Sequence, residues 1–458
     1  MKRDDLTELP PRAREAPTYL DPLDSPRLHA ALPGLRRALQ AETMGAALQQ
    51  QLLRDSITVD VCLPGKALYL GPEGCSLRFD LDVRGPDGTP PRRLLVLGRL
   101  LEDDEAVDRY GREIATVAEA MGDRPEAAAF SRLVASLPDR LVVHPFPIDA
   151  DLPTLVGATD TALAGEVLGA PSESCSVVLG HYGRRERCVL RYERDAYDPR
   201  PCVYGKVYSD DRGARVGPIV AALATAGPHA VLVPRFLGYR ADLRLSLLEE
   251  LPGQREPAGA VVDDAARIGA ALHRSDIALG PDRSIDCELS ELHDGVLLVE
   301  RASPEMAATL RDLLTTIAAA AAESEPLSSV FSHGDFTHSQ LLTGGGRCGL
   351  VDFDSIARAE PALDLGQFLA YLRMALAKAE PAAGRDRADR LADRFLTAYV
   401  DAADIQVSAD VLRARARVYE TISLLRSTVH AWQKLKAKRA RLLFSILDEQ
   451  VARLPLPD

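Results

Sequence analysis

The residues that could do chemistry are concentrated between His333 and Asp354. A short strand, Val330-Phe331-Ser332, leads into His333-Gly334-Asp335-Phe336-Thr337-His338-Ser339-Gln340, and a second strand ends in Gly349-Leu350-Val351-Asp352-Phe353-Asp354. Phosphoryl transfer needs a group that orients the acceptor hydroxyl, oxygen ligands for Mg²⁺ and a cation for the nucleotide phosphates. Asp335 opens the loop and can face an acceptor, while Gln340 offers an amide oxygen about one turn later. Asp352 presents a carboxylate at the tip of the next strand, with Asp354 as a candidate for a second metal or an acceptor contact. Oxygen is the donor that a hard cation selects. The bland alternative is a pair of solvated loop carboxylates acting as caps, and the ordered set of residues weighs against it.

The order and spacing of these residues resemble the aminoglycoside phosphotransferase and choline kinase group of small-molecule kinases. His333-Gly334-Asp335 with Gln340, Val351-Asp352-Phe353-Asp354, and Pro361-Ala362-Leu363-Asp364-Leu365 follow the family order H-G-D-x4-N, I-D-x-x and P-x-x-D-L. Gln340 stands where asparagine is usual, as in maltokinase-like and glucosamine-kinase-like branches, and Thr337 replaces a common histidine. The resemblance covers roughly the last two thirds of the chain, from Cys175 onward. It implies that Asp335 orients or deprotonates the hydroxyl, that Gln340 and Asp352 hold Mg²⁺, and that ATP is the donor. His333 and Asp364 are expected to brace the loop. Lys206, within Val203-Tyr204-Gly205-Lys206-Val207-Tyr208, resembles the strand lysine that meets the nucleotide phosphates. Its usual glutamate is missing, because the helix expected at about residues 214–226 carries no acid; either Asp210 or Asp211 substitutes or the pairing is absent. Glu249 and Leu251, in Leu247-Leu248-Glu249-Glu250-Leu251-Pro252-Gly253, resemble the hinge whose backbone meets adenine.

Elements that would position this site follow from hydrophobic periodicity. Helical spacing over 35–53 precedes strand-like 57–62, 76–83 and 93–98, then helical 105–121 and 125–137, then strands at 142–145 and 152–156. From Cys175 the pattern begins again. Cys62 and Cys75-Ser-Leu-Arg-Phe79 match Cys175 and Cys188-Val-Leu-Arg-Tyr192 at equal Cys-to-Cys spacing, and Leu97-Gly98-Arg99-Leu100 matches Tyr204-Gly205-Lys206-Val207. Pro145 with Ala150-Asp151-Leu152 also resembles Pro234 with Ala241-Asp242-Leu243. Beyond Gly253, helices are expected at 261–273, 304–322, 363–377, 386–402, 408–432 and 436–454.

The expected fold is therefore α+β: a two-lobed protein-kinase-like fold, preceded by an extra α+β domain that is either a degenerate copy of the N-lobe or an unrelated small unit. The boundaries are a flexible tail to residue 34, the extra domain over 35–158, the N-lobe over 159–252 and the helical C-lobe over 253–458. In a degenerate copy, Arg99 would replace the nucleotide lysine and no catalytic loop would follow.

Composition narrows the function further. The formal charge of -12 over 458 residues argues against a general nucleic-acid binder, which carries a basic excess. The seven cysteines are scattered singly, without zinc spacing, and fit a reducing cytoplasm. The first residues lack a secretory apolar core, and no apolar run approaches the ~20 residues of a membrane span. The expected partner is a small-molecule acceptor: a sugar, an amino sugar or an aminoglycoside, with an acid-lined cleft suiting aminated sugars. A nucleotide-binding pseudokinase with a scaffold role is the competing class. A protein kinase is disfavoured by the lack of an A-P-E segment. Gly180-His181-Tyr182-Gly183 could cover phosphates, the glycines at 344–346 read as a hairpin turn, and the basic run 434–441 reads as a solvated helix face.

Overall fold

The computed structural model describes residues 19–86, 90–183, 185–194, 201–225, 231–381, 383–403 and 407–455. Two antiparallel sheets and a large helical body make up the molecule, an α+β arrangement. The first sheet contains β1 (Thr58–Pro64), β2 (Leu68–Tyr69), β3 (Cys75–Arg84), β4 (Arg92–Leu100), β5 (Ala135–Leu137) and β6 (Leu141–Pro145). Its order is β1-β3-β4-β6-β5, with β2 paired to β3. The second contains β7 (Cys175–Tyr182), β8 (Arg187–Arg194), β9 (Val203–Tyr208), β10 (Phe236–Arg240) and β11 (Leu245–Glu249), ordered β10-β11-β9-β8-β7. Short β2 aside, both sheets place their strands first, second, third, fifth, fourth. In both, a helix joins the third strand to the fourth: Asp104–Ala118 in one, Val216–Thr225 in the other.

The agreement extends to register. Cys62 pairs with Leu81 and Cys75 with Leu100, as Cys175 pairs with Arg194 and Cys188 with Val207. Leu77 lies opposite Gly98, and Leu190 opposite Gly205. The glycine serves the same purpose in each sheet. A Cβ on Gly98 would stand 3.2 Å from Phe79 Cε2, and one on Gly205 would stand 2.5 Å from Tyr192 Cε2. Both rings lie over the space that the missing side chain leaves, the cross-strand cover an aromatic gives a glycine. The match of Ala150-Asp151-Leu152 to Ala241-Asp242-Leu243 does not survive: the first follows β6, whereas the second lies between β10 and β11. Three residues recur by chance too easily to fix equivalence.

Several local expectations change. The helix expected over 125–137 is a 3-10 turn, Pro125–Ala129, followed by β5, and the strand expected over 152–156 is a turn leading into the short helix Leu155–Ala158. The tail expected to residue 34 is not one over its described part. Pro26–Ala31 is helical, Ser25 caps it by accepting from the Leu28 amide at 3.2 Å, and Leu28 is fully buried. Residues 1–18 lie outside the described residues.

The helical body follows the periodic pattern closely, with Val262–His273, Pro304–Glu323, Pro361–Ala379, Gly384–Ala403, Ala409–Gln433 and Ala437–Val451. Ile285–Ala302 is an additional helix, capped by Ser284 and burying Leu292, Val296 and Val299. The signal for it was Ser284 followed by apolar residues at 289, 292, 296 and 299. That helix packs into one core with the N-terminal sheet and the helix Ala409–Gln433. Two small pairings complete the structure: β12 (Val330–Ser332) with β15 (Ala357–Ala359), and β13 (Leu341–Gly344) with β14 (Arg347–Leu350). The β13–β14 turn is Gly345-Gly346, with φ of 59° and 75°, the two left-handed positions that a type I′ hairpin requires. No helix among the described residues is long and apolar enough to cross a membrane.

Candidate active site

The loop after β12 is fixed by one helix. Pro361 starts the helix Pro361–Ala379, and its buried first turn aims Asp364 at the loop backbone. Asp364 Oδ2 accepts from the His333 amide at 2.7 Å and Oδ1 from the Gly334 amide at 2.8 Å. One turn on, Gln367 accepts from the Phe336 amide and donates to the Gly334 carbonyl, at 2.8 and 2.7 Å. Asp364 is itself held by His273 at 3.1 Å, whose other ring nitrogen meets the Tyr399 hydroxyl at 2.7 Å. Burial raises the Asp364 carboxyl, but the His273 hydrogen bond and charge outweigh it and hold its pKa below the ordinary value. Gly334 has no alternative here: its φ is 76° and a Cβ would come within 1.9 Å of the Ser355 carbonyl oxygen. His333 contacts the Val351 carbonyl through Nε2 at 3.1 Å and accepts from the Asp335 amide through Nδ1 at 3.3 Å. His333, Asp364 and His273 are thus bracing residues.

The functional side chains converge on this frame. Gln340 Nε2 donates to Asp335 Oδ2 at 3.1 Å and to Asp352 Oδ2 at 3.3 Å, joining the catalytic-loop carboxylate to the second one. Asp352 follows β14 with a left-handed φ of 73°, which turns its carboxylate toward the other lobe. Lys206, from β9, reaches across to Asp352 Oδ1 at 2.7 Å and Asp354 Oδ1 at 3.2 Å. Burial alone would raise the Asp352 pKa, but the Lys206 and Arg187 charges hold it well below the usual carboxylate range. Asp335 is pushed the other way, upward, by burial and then by the neighbouring Asp352 charge. The two nearby carboxylates are thus driven apart, Asp352 toward the ionised form and Asp335 toward the protonated one.

The missing helix glutamate finds its explanation here. Lys206 is satisfied by Asp352 and Asp354 rather than by the helix Val216–Thr225 or by Asp210 and Asp211. Asp210 pairs with Arg212, and Asp211 meets Tyr239. Asp354 is nearly buried, with 4% of its side chain exposed, and also accepts from Tyr208 at 2.8 Å and from Arg187. Glu249 closes β11, with its carboxylate on Arg235 at 2.7 and 3.0 Å. Leu251 lies against β14, where it leaves no room for a side chain on Gly349. Arg187 has no place in the sequence motifs. Only its position two residues before Val189, the partner of Lys206 on the adjacent strand, could have pointed to it.

Burial raises the Tyr371 pKa, and the Asp335 charge adds to the rise. In the β7–β8 hairpin, burial lowers the His181 pKa. The N-terminal unit holds the same hairpin: Tyr182 donates to Asp149 at 2.5 Å, and Arg185 pairs with Glu73 at 2.8 Å. Arg99 faces away from this chemistry, on Asp151 at 2.8 Å and over the Tyr110 ring.

Among the described residues no three His, Cys, Asp or Glu side chains converge as a metal-binding group. The donors present still fit Mg²⁺. A carboxylate beside a side-chain amide, which offers oxygen once it is turned, suits a cation that takes one or two protein ligands and fills its shell with water and substrate phosphates.

Residues 203–419 match the phosphotransferase enzyme family, a span that contains Lys206, the hinge, Asp335, Gln340, Asp352 and Asp354. No curated protein matches the chain. Among solved structures, choline kinase from Cryptosporidium parvum is similar over 64% of this chain and 95% of its own, at 11% identity and a TM-score of 0.49. A choline/ethanolamine kinase family protein from Mesorhizobium loti is similar over 58% and 89%, at 18% identity and a TM-score of 0.40. An aminoglycoside phosphotransferase from Streptomyces rimosus, solved with ADP and streptomycin, is similar over 52% and 90%, at 20% identity and a TM-score of 0.36. The match to the phosphotransferase enzyme family lies in residues 203–419, which hold all of the converging side chains, and it supports a small-molecule kinase.

Proposed function

We propose that this kinase takes its phosphoryl group from Mg-ATP and places it on a hydroxyl of a sugar-like small molecule. The observation that carries the reading is the convergence of Asp335, Gln340, Asp352 and Lys206, drawn from both lobes onto one spot. Asp335 orients the hydroxyl and accepts its proton as the new oxygen–phosphorus bond forms and the bond to the ADP oxygen breaks. Its raised pKa suits that task. Asp352 and the Gln340 amide oxygen hold Mg²⁺, which neutralises charge on the transferring phosphate when bound. Lys206 meets the phosphates, Asp354 fixes Lys206, and the backbone at Glu249 and Leu251 meets adenine. The pseudokinase alternative rested on a lysine without an acidic partner, and Lys206 has two.

The acceptor class is the finer part of the proposal: a sugar, an amino sugar or an aminoglycoside presents the kind of hydroxyl that Asp335 would address. We infer further that the N-terminal sheet is a degenerate N-lobe that steadies the β7–β8 hairpin. The test of acceptor class is ADP release, with purified protein and Mg-ATP, over neutral sugars, sugar acids, amino sugars and aminoglycosides. ADP release above the acceptor-free background is expected with at least one of these classes. Release with none of them would overturn this assignment.

A further inference from the structure

Opposed residues on neighbouring antiparallel strands point to the same face of a sheet. Arg187 lies opposite Tyr208, and Val189 opposite Lys206. Arg187, Lys206 and Tyr208 therefore share one face, the one turned toward the catalytic loop, and all three polar ends reach Asp352 or Asp354. Arg187 Nη1 and Nη2 meet Asp352 Oδ1 and Oδ2 at 3.1 and 3.2 Å, and Nη1 also meets Asp354.

Counting acceptor sites defines the consequence. A carboxylate offers about four lone-pair sites. Asp352 Oδ1 accepts from Lys206 and Arg187, and Oδ2 from Arg187 and Gln340. All four are engaged, so Asp352 can serve a divalent cation only by shedding donors. Gln340 can turn its amide and offer oxygen instead. Both cations also hold Asp354, but Lys206 is the more deeply buried, its side chain 10% exposed against 27% for Arg187. Arg187 is the donor freest to leave, and its fork matches phosphate geometry as well as carboxylate geometry.

Resting on the Mg-nucleotide reading above, we propose that Arg187 is a nucleotide-phosphate ligand that trades the Asp352 carboxylate for the phosphates as Asp352 takes up the metal. In the free protein it competes with metal for Asp352; in the complex it binds the nucleotide. No purely structural role gives opposite signs for the two ligands.

The test compares wild type with Arg187→Met and Arg187→Lys. Calorimetry gives affinities for adenosine and for Mg²⁺ with a non-hydrolysable ATP analogue; electron paramagnetic resonance gives Mn²⁺ affinity of the nucleotide-free protein. Arg187→Met is expected to weaken the triphosphate about 10- to 100-fold, leave adenosine unchanged and tighten Mn²⁺ severalfold. Arg187→Lys, which keeps the charge and loses the fork, should fall between wild type and Arg187→Met on both scales. Triphosphate affinity unchanged in Arg187→Met, or Mn²⁺ affinity unchanged or weaker, overturns the proposal. Parallel loss of adenosine and triphosphate binding in both variants also overturns it, because the effect is then not on phosphate. Failure of the wild type to bind triphosphate would instead remove the underlying functional reading.

Discussion

Asp335→Asn is expected to lower kcat by about 10²- to 10⁴-fold, the range for loss of a positioned general base, with nucleotide affinity little changed. The substitution keeps the shape of the side chain and its contact with Gln340 but removes its capacity to take a proton. A pH signature separates this role from a structural one. Burial and the Asp352 charge raise the Asp335 pKa above its ordinary 3.8, so the base is protonated, and kcat/KM of the wild type falls, as pH drops through that raised value. The fall should be lost in the residual activity of Asp335→Asn. Wild-type turnover in this variant, or an unaltered acid limb, would remove Asp335 from the chemistry.

The second large effect distinguishes the two sheets. Lys206 and Arg99 occupy the same place in matched third strands, each next to a glycine covered by an aromatic ring of the second strand. Their surroundings differ. Lys206 faces two carboxylates beside the catalytic loop, whereas Arg99 is buried against Asp151 and Tyr110, with no catalytic loop of its own. Lys206→Ala removes the cation held by Asp352 and Asp354, proposed above to meet the phosphates, and should slow turnover by about 10²- to 10³-fold. Arg99→Ala should leave turnover within about twofold while lowering stability by roughly 1–3 kcal/mol, the cost of leaving a buried partner unpaired. Calorimetry should find one ATP per chain. Two ATP per chain, or equal kinetic losses in the two variants, would mean that the N-terminal sheet is a second nucleotide site.

The catalytic loop was legible in the sequence because phosphoryl transfer leaves little freedom in its order: a loop carboxylate, an amide, then a carboxylate after the next strand. The long helices were legible because their buried faces recur at helical spacing. The matched cysteine blocks fixed register as well as order, since a one-residue slip would exchange the buried and exposed faces of every strand. What escaped had weaker local signals. Helix Ile285–Ala302 carries buried Glu288, paired with Arg426 at 2.6 Å, and a charge on the inner face breaks the apolar pattern. The short turn after Pro125 carries helix-favouring alanines that do not outweigh the pairing of β5 with β6. Arg187 and the partners of Lys206 were invisible because they are set by sheet register and by the approach of two lobes, neither of which leaves a motif.

The central claim is that Asp335, Gln340, Asp352 and Lys206 form one phosphoryl-transfer centre dependent on Mg-ATP. It is tested most directly by phosphorus NMR of reactions containing Mg-ATP and a sugar acceptor, with wild type and Asp352→Ala side by side. With wild type, a new phosphomonoester signal should grow in step with ADP; with Asp352→Ala, or with Mg²⁺ chelated, neither should appear. Binding of Mg-ATP without any phosphomonoester across the whole acceptor panel, or full activity in Asp352→Ala, would contradict the account.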